Sequence, residues 1–286
     1  MKFKILLCIL IVSSSIIIFP QSDVKKLNIT YIANEGFLLS TPNKKVIIDA
    51  LFKEGYGFFL TPPKTLEDSI INAIPPFNNI NLFLLTHHHA DHCDPGMITD
   101  FLDKQKNVPL VCSEPAWDFI QEKSPISARL KDQIVEVTPP MNRSISKVIN
   151  GIPVKIFSLK HLSYYKNGVD LDSGMFNISF LFDMDGIKVF HSGDIMKNAL
   201  QDYMVENKEW KDTIDVAFLY YEVLDSSKSD PDYVIKMLNP KYIVLMHIPP
   251  VFIAAWAKKI DQLKMNYPGI IFFVNPMDSR TLTFME

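Results

Sequence analysis

The chain has 286 residues, 48% of them hydrophobic, with 29 basic and 32 acidic side chains for a formal net charge of −3. Such a balance offers no basic surface for a polyanion, so no nucleic-acid partner is expected. Length sets one to two domains, and no repeat, low-complexity tract or flexible linker divides them.

Lys2 and Lys4 precede an apolar stretch over residues 5–19 that is broken only by Ser13, Ser14 and Ser15. That is the pattern of a secretory signal peptide, placed at residues 1–21, and it is short for a span of about 20 residues. Export to the periplasm or outside the cell is expected, with membrane contact only through an uncleaved leader. Residues 26–31 and 36–39 read as strands, and 45–49 as a third ending in Asp49. Residues 53–79 carry Pro62, Pro63, Pro75, Pro76 and several aromatics, a long loop with a short helix at 66–73 that suits a lid or pocket wall. Strand 81–86, helix 95–105, strand 108–112 and helix 115–123 then alternate.

Strands resume at 134–137, 154–158, 178–183 and 188–192, the last pair joined by Asp185-Gly186, a two-residue hairpin turn. Helix 199–207, strand 216–220, helix 230–238, strand 242–246, helix 253–267 and strands 270–274 and 281–284 complete the chain. Two successive halves, each a sheet with helices outside, predict an α/β protein with a four-layer αββα sandwich.

Residues 86–94 read Thr-His-His-His-Ala-Asp-His-Cys-Asp, so four of the seven histidines fall together on a loop after a strand. Strand ends are where α/β proteins place their chemistry, and imidazole with carboxylate is the donor set of borderline cations. A lone histidine at a strand end is more often a cap or a core residue. His161, His191, Asp194 and His247 all close strands, however, and together with the cluster they point to one shared pocket. For an exported protein a bridge between Cys93 and Cys112 is conceivable, but two small buried thiols without a bond are favoured.

The order His87-x-His89-x-Asp91-His92, then His161, Asp194 and His247, resembles the metallo-β-lactamase superfamily over roughly residues 27–285. The resemblance implies the αββα sandwich and a two-metal site at one edge of it. His87, His89 and His161 would hold one cation, Asp91, His92 and His247 the other, with Asp194 bridging. Zn(II), two per chain, is the expected cofactor, and the same donors also serve Mn(II) and Fe(II). Asp49 resembles the carboxylate that steadies the ligands from behind. His88 should face away from its neighbours on an extended segment, and His191 matches no ligand position. Asn34-Glu35-Gly36-Phe37, the Ile-Asp strand end and the proline-rich insertion resemble the broad group that includes the ascorbate-6-phosphate lactonase.

That family chemistry is hydrolysis by a metal-activated hydroxide, with an ester, lactone or amide of a small molecule as the expected substrate. Asp91 is the expected catalytic residue, orienting the nucleophile or returning a proton to the leaving group. Phosphodiester hydrolysis and a non-hydrolytic metal-binding or redox role on the same fold stay open. Only Arg129, Arg143 and Arg280 are arginines, too few and too scattered for a phosphate clamp. Tyr56, Phe58, Phe59 and Phe77 suit an apolar pocket wall, while Tyr164, Tyr165, Tyr220 and Tyr221 read as rim or core aromatics.

Overall fold

The computed structural model describes residues 24–124, 128–208, 210, 212–225 and 230–285. The expected leader at 1–21 lies outside them. β1 (Val24–Ala33) and β2 (Gly36–Ser40) form an antiparallel hairpin, and β3 (Lys45–Ile48) pairs antiparallel with β2. β4 (Leu82–Leu84), β5 (Leu110–Cys112) and β6 (Ile134–Glu136) extend that sheet in parallel. Three-residue strands with every residue buried, as in β4 and β5, are what a parallel sheet covered on both faces requires. One covering comes from α1 (Lys64–Ile71), α2 (Pro95–Lys104) and α3 (Glu114–Lys123), whose Ile70, Phe101 and Ile120 pack with Phe83 and Leu110. The short α4 (Ala128–Lys131) precedes β6.

The second sheet begins with the hairpin of β7 (Ser144–Ile149) and β8 (Ile152–Ser158). A separate two-stranded hairpin, β9 (Tyr165–Lys166) and β10 (Val169–Asp170), follows. β11 (Ile178–Met184) then turns through Asp185-Gly186, both at positive φ, into β12 (Ile187–His191). β13 (Val216–Tyr220), β14 (Tyr242–Met246) and β15 (Ile270–Phe272) add in parallel, separated along the chain by α5 (Ala199–Asn207), α6 (Pro231–Leu238) and α7 (Ile253–Asn266). β16 (Ser279–Met285) leaves this half and pairs antiparallel with β1, with Leu282 opposite Leu27. The two halves are therefore stitched together at the edge of the first sheet.

Between the sheets, Leu27, Phe37, Ile48 and Leu84 meet Ile156, Phe180, Val189, Phe218 and Val244 in one core. Helices flank both outer faces, so the architecture is the αββα sandwich. Among the described residues no helix is long and apolar enough to cross a membrane. β3, β4, β8, β12 and β14 all end at the same rim, which places Asp49, the histidine loop, His161, Asp194 and His247 side by side.

Candidate metal centre

The histidine loop is held from behind by Asp49. This buried carboxylate, in the left-handed region at φ 43, accepts from the Thr86 backbone N–H at 2.9 Å and from the Thr86 hydroxyl at 2.6 Å. It also accepts from His92 Nδ1 at 3.0 Å. The loop then doubles back, with the backbone N–H groups of His92 and Cys93 both donating to His89 O. The Asp94 side chain accepts from Met97 N at 2.9 Å and, with Pro95 after it, starts α2. Each end of the loop is thus anchored by backbone hydrogen bonds to a carboxylate.

Four of the imidazoles are oriented by their outward nitrogen. Thr86 Oγ1 spends its proton on Asp49 and accepts from His87 Nδ1 at 3.0 Å. His161 Nδ1 donates to Leu162 O at 2.6 Å, His92 Nδ1 donates to Asp49, and His89 Nε2 lies 3.2 Å from Asp172 Oδ1. The remaining nitrogens, Nε2 of His87, His92 and His161 and Nδ1 of His89, turn inward. His87 Nε2 and His89 Nδ1 lie 3.2 Å apart, and with both outward nitrogens protonated each presents a lone pair that a cation between them would take.

The inward atoms converge. His87, His89, His161 and Asp194 each offer a ligand atom within 4.8 Å of the others, and so do Asp91, His92 and His247. Asp194 stands between the two sets: Oδ2 lies 3.1 Å from His247 Nε2 and 4.0 Å from Nε2 of His87 and His161, and Oδ1 lies 3.6 Å from His92 Nε2. Buried polar atoms normally find partners. Here His92 Nε2, His161 Nε2, Asp194 Oδ1 and both nitrogens of His247 have no hydrogen-bond partner. Close contacts without hydrogen-bond alignment, aimed at a common centre, fit a dinuclear metal site.

Electrostatics separates the two sets. Burial drives His87 well below the usual imidazole range, helped by the neighbouring His92 and His161, and burial also lowers His161. Burial acts against charge at His92 too, yet Asp194 and Asp91 push it well above that range. His247, against its burial, is raised to about 9 by Asp194 and then Asp91. Burial works against ionisation of Asp194, but His247 and His92 hold it well below the usual carboxylate range. Asp91, likewise buried, is lowered by His92 and His247.

All seven metal-ligating positions expected from the sequence lie in this centre. His88 points away, its ring 5.0 Å from Phe119 of α3. His191 is buried within hydrogen-bonding reach of the Glu35 carbonyl at 3.3 Å, accepts from Gly193 N and stacks on Phe218. Cys93 and Cys112 are buried free thiols. Tyr164 and Tyr165 are exposed, Tyr220 sits 5.4 Å from the His247 ring, and Tyr221 packs on Trp256.

Several residues at the site were not assigned to it from the sequence. Asn34, at φ 50 in the turn between β1 and β2, donates from Nδ2 to Asp91 Oδ2 at 3.1 Å, while its carbonyl accepts from His247 N. Its neighbour Glu35 is wholly buried against the centre. Gly193 is required: a Cβ there would lie 2.3 Å from Asn177 Oδ1, and its φ is +59. Over the mouth, the Phe59 ring meets His247 at 4.2 Å, Phe58 continues to Phe252 at 5.9 Å, and the Tyr56 hydroxyl accepts from Ala90 N.

The profile of the beta-lactamase superfamily domain matches residues 44–261, more than half of the chain. This chain belongs to that superfamily. Similar solved structures include Igni18, a metallo hydrolase from the archaeon Ignicoccus hospitalis, at 17% identity and TM-score 0.57, covering 91% of this chain and 99% of that one. The isothiocyanate hydrolase from Delia radicum gut bacteria is similar at 16% identity and TM-score 0.56, covering 91% and 100%. CmlA, a diiron beta-hydroxylase from Streptomyces venezuelae, is similar at 14% identity and TM-score 0.52, covering 93% of this chain and 55% of that one. At these identities the likeness is one of fold. No curated protein matches the sequence significantly.

Proposed function

We propose that this chain is a hydrolase that uses two divalent cations, with Zn(II) the first choice for its donor set, to open an ester, lactone or amide bond of a small molecule. The observation that carries the reading is the convergence of seven donors, six buried and His89 partly so, on one centre where His92 Nε2, His161 Nε2, Asp194 Oδ1 and both nitrogens of His247 have no hydrogen-bond partner. Two such cations, when bound, supply an acidified water and Lewis acidity for the oxygen on which charge develops. His87, His89 and His161 would hold one cation and Asp91, His92 and His247 the other, with Asp194 placed within reach of both sets.

Asp91 is the catalytic residue in this reading. Its Oδ2 is positioned by Asn34 Nδ2 at 3.1 Å and faces His247 Nε2 at 3.2 Å. Ionised and held in place, it orients a proton of the attacking water and passes it to the leaving group. Phe58, Phe59 and Phe252 shield one side of the centre and suit the apolar part of a small substrate. Tyr56 accepts from the Ala90 backbone, which leaves its own proton for a substrate oxygen. Arg143 is committed to Glu206 at 3.2 Å and Arg280 lies on β16, so the carbonyl reading is preferred to a phosphodiester. The leader-like segment supports a site of action outside the cytoplasm.

The test is a substrate panel on metal-loaded protein lacking residues 1–21: aliphatic and aromatic esters, lactones, β-lactams, an isothiocyanate and bis-para-nitrophenyl phosphate. Turnover of a carbonyl substrate is expected, lost on treatment with a chelator and restored by Zn(II). Asp91→Asn should lower turnover by about 10²–10⁴-fold, the range of a lost acid-base group, while keeping the cation of the imidazole trio and, under saturating metal, the second cation as well. Turnover of the phosphodiester alone would overturn the carbonyl reading, and full activity of Asp91→Asn would overturn the role of that residue.

A further inference from the structure

The turn between β1 and β2 brings two polar side chains to the centre, and only one of them has an explained partner. Asn34 holds Asp91 and receives the His247 backbone N–H. Glu35, the next residue, is 0% exposed, and neither of its carboxylate oxygens has a hydrogen-bond partner. Its ligand atom lies within 4.8 Å of Asp194, and burial together with that acid pushes the Glu35 carboxyl well above the usual range. Without a cation it therefore keeps a proton directed at Asp194, a proton that a cation between the two acids would replace. The turn is also built to reach this position. The Glu35 carbonyl lies 3.3 Å from His191 Nε2, and Gly36 lets the backbone approach so closely that a Cβ would lie 2.8 Å from Asp49 O.

Glu35, His92 and Asp194 each present a ligand atom within 4.8 Å of the other two. We propose that Glu35 is a further carboxylate donor to the cation held by Asp91, His92 and His247. The proposal rests on the two-cation reading above and adds a ligand to it from outside the matched family segment, which begins at residue 44. With Glu35 the second position has carboxylates from Asp91, Asp194 and Glu35 beside two imidazoles, whereas the first has three imidazoles beside Asp194. Oxygen donors suit Mn(II), and imidazole suits Zn(II). The first position should therefore prefer Zn(II), and the second should accept Mn(II) with less penalty.

Glu35→Gln separates a ligand from a positioning group. Glutamine keeps the size of the side chain and can still donate to Asp194, so a purely positioning role survives the substitution. A donor role does not. Calorimetric titration of metal-free protein with Zn(II) and with Mn(II) should show two cations per chain in the wild type. In Glu35→Gln the second should bind at least about 10-fold more weakly, with the first unchanged. Metal-free Glu35→Gln should melt no lower than wild type, because a buried unpartnered carboxyl has gone, but it should gain less on metal addition. Two cations bound by Glu35→Gln with wild-type affinities would overturn the Glu35 assignment and leave the two-cation reading intact. A wild-type chain that binds no divalent cation would overturn both. Should Glu35→Gln fail to fold, Glu35→Asp, which keeps the charge but shortens the reach, takes its place: a second cation bound at least about 10-fold more weakly with the first unchanged supports the assignment, and wild-type affinity at both positions overturns it.

Discussion

His87, His89 and His161 form an all-imidazole trio, whereas Asp91, His92 and His247 combine two imidazoles with a carboxylate. Both sets are largely buried, yet burial wins at His87 and His161 and charge wins at His92 and His247. His87 and His161 are pushed down and stand neutral near pH 7, with their lone pairs ready. His92 and His247 are pushed up by Asp194 and Asp91, so protons must leave before a cation can enter. Two positions a few ångströms apart thus differ in how their affinity responds to pH: the second releases protons on loading and weakens as the pH falls.

Asp194 is the element common to both positions, and its removal is the largest expected effect. Asp194→Ala should reduce bound metal to less than one cation per chain after dialysis, read by atomic emission. It should also lower hydrolysis by at least about 10³-fold, since a bridged pair acts as one unit. Retention of one tightly held cation would mean that the imidazole trio suffices by itself, which would sharpen the contrast between the positions. Retention of two would remove Asp194 from its bridging place.

Asp49 tests the asymmetry from behind. It receives His92 directly but reaches His87 only through the Thr86 hydroxyl. Asp49→Asn should therefore weaken the second cation by about 10–100-fold, as loss of an orienting partner does, and the first by less. A competition titration with a chromophoric chelator measures both constants. An equal loss at the two positions would show that Asp49 acts on the whole loop through the Thr86 backbone rather than on His92.

Much of this was legible before any coordinates, for a physical reason. The strands of a covered sheet are short continuous apolar runs, and the ligand motif on residues 87–92 is local in sequence, so neither depends on knowing the fold. β7 was missed because Ser144–Ile149 is a mostly exposed edge strand without the alternation that marks a half-buried one. The return of β16 to β1 was equally hidden, since which strand a segment pairs with is decided by distant partners. Asn34-Glu35-Gly36-Phe37 stood out only as a family-like segment, and the place of Asn34 and Glu35 at the centre stayed hidden because Asn-Glu-Gly is ordinary turn chemistry: Asn tolerates positive φ and Gly permits close approach. Asp172 is one acidic residue among many, placed against His89 only by the β9–β10 hairpin.

Two buried histidines, one inside the centre and one behind it, set an effect on stability rather than on metal affinity. His191 is held at about 4 by burial, against 6.5 for a free imidazole. The unfolded chain therefore binds a proton that the folded chain refuses, and stability falls as the pH drops from 6.5 toward 4, by roughly 3 kcal/mol in full. His247 has the opposite sign. Its folded value of about 9 gives stability that is complete below pH 6.5 and is lost as the pH rises through 9. Metal-free protein should thus be most stable near pH 6.5 and weaker on either side, as measured by urea midpoints at pH 5, 6.5 and 9. Loading with Zn(II) replaces the proton on His247 by a cation, so the alkaline decline should disappear. The acid decline from His191 should persist, because that ring is engaged with Glu35 O and Gly193 N rather than with metal. An alkaline decline that survives full metal loading would show that His247 is not a ligand, and the division between the two positions would have to be redrawn around Asp91 and His92 alone.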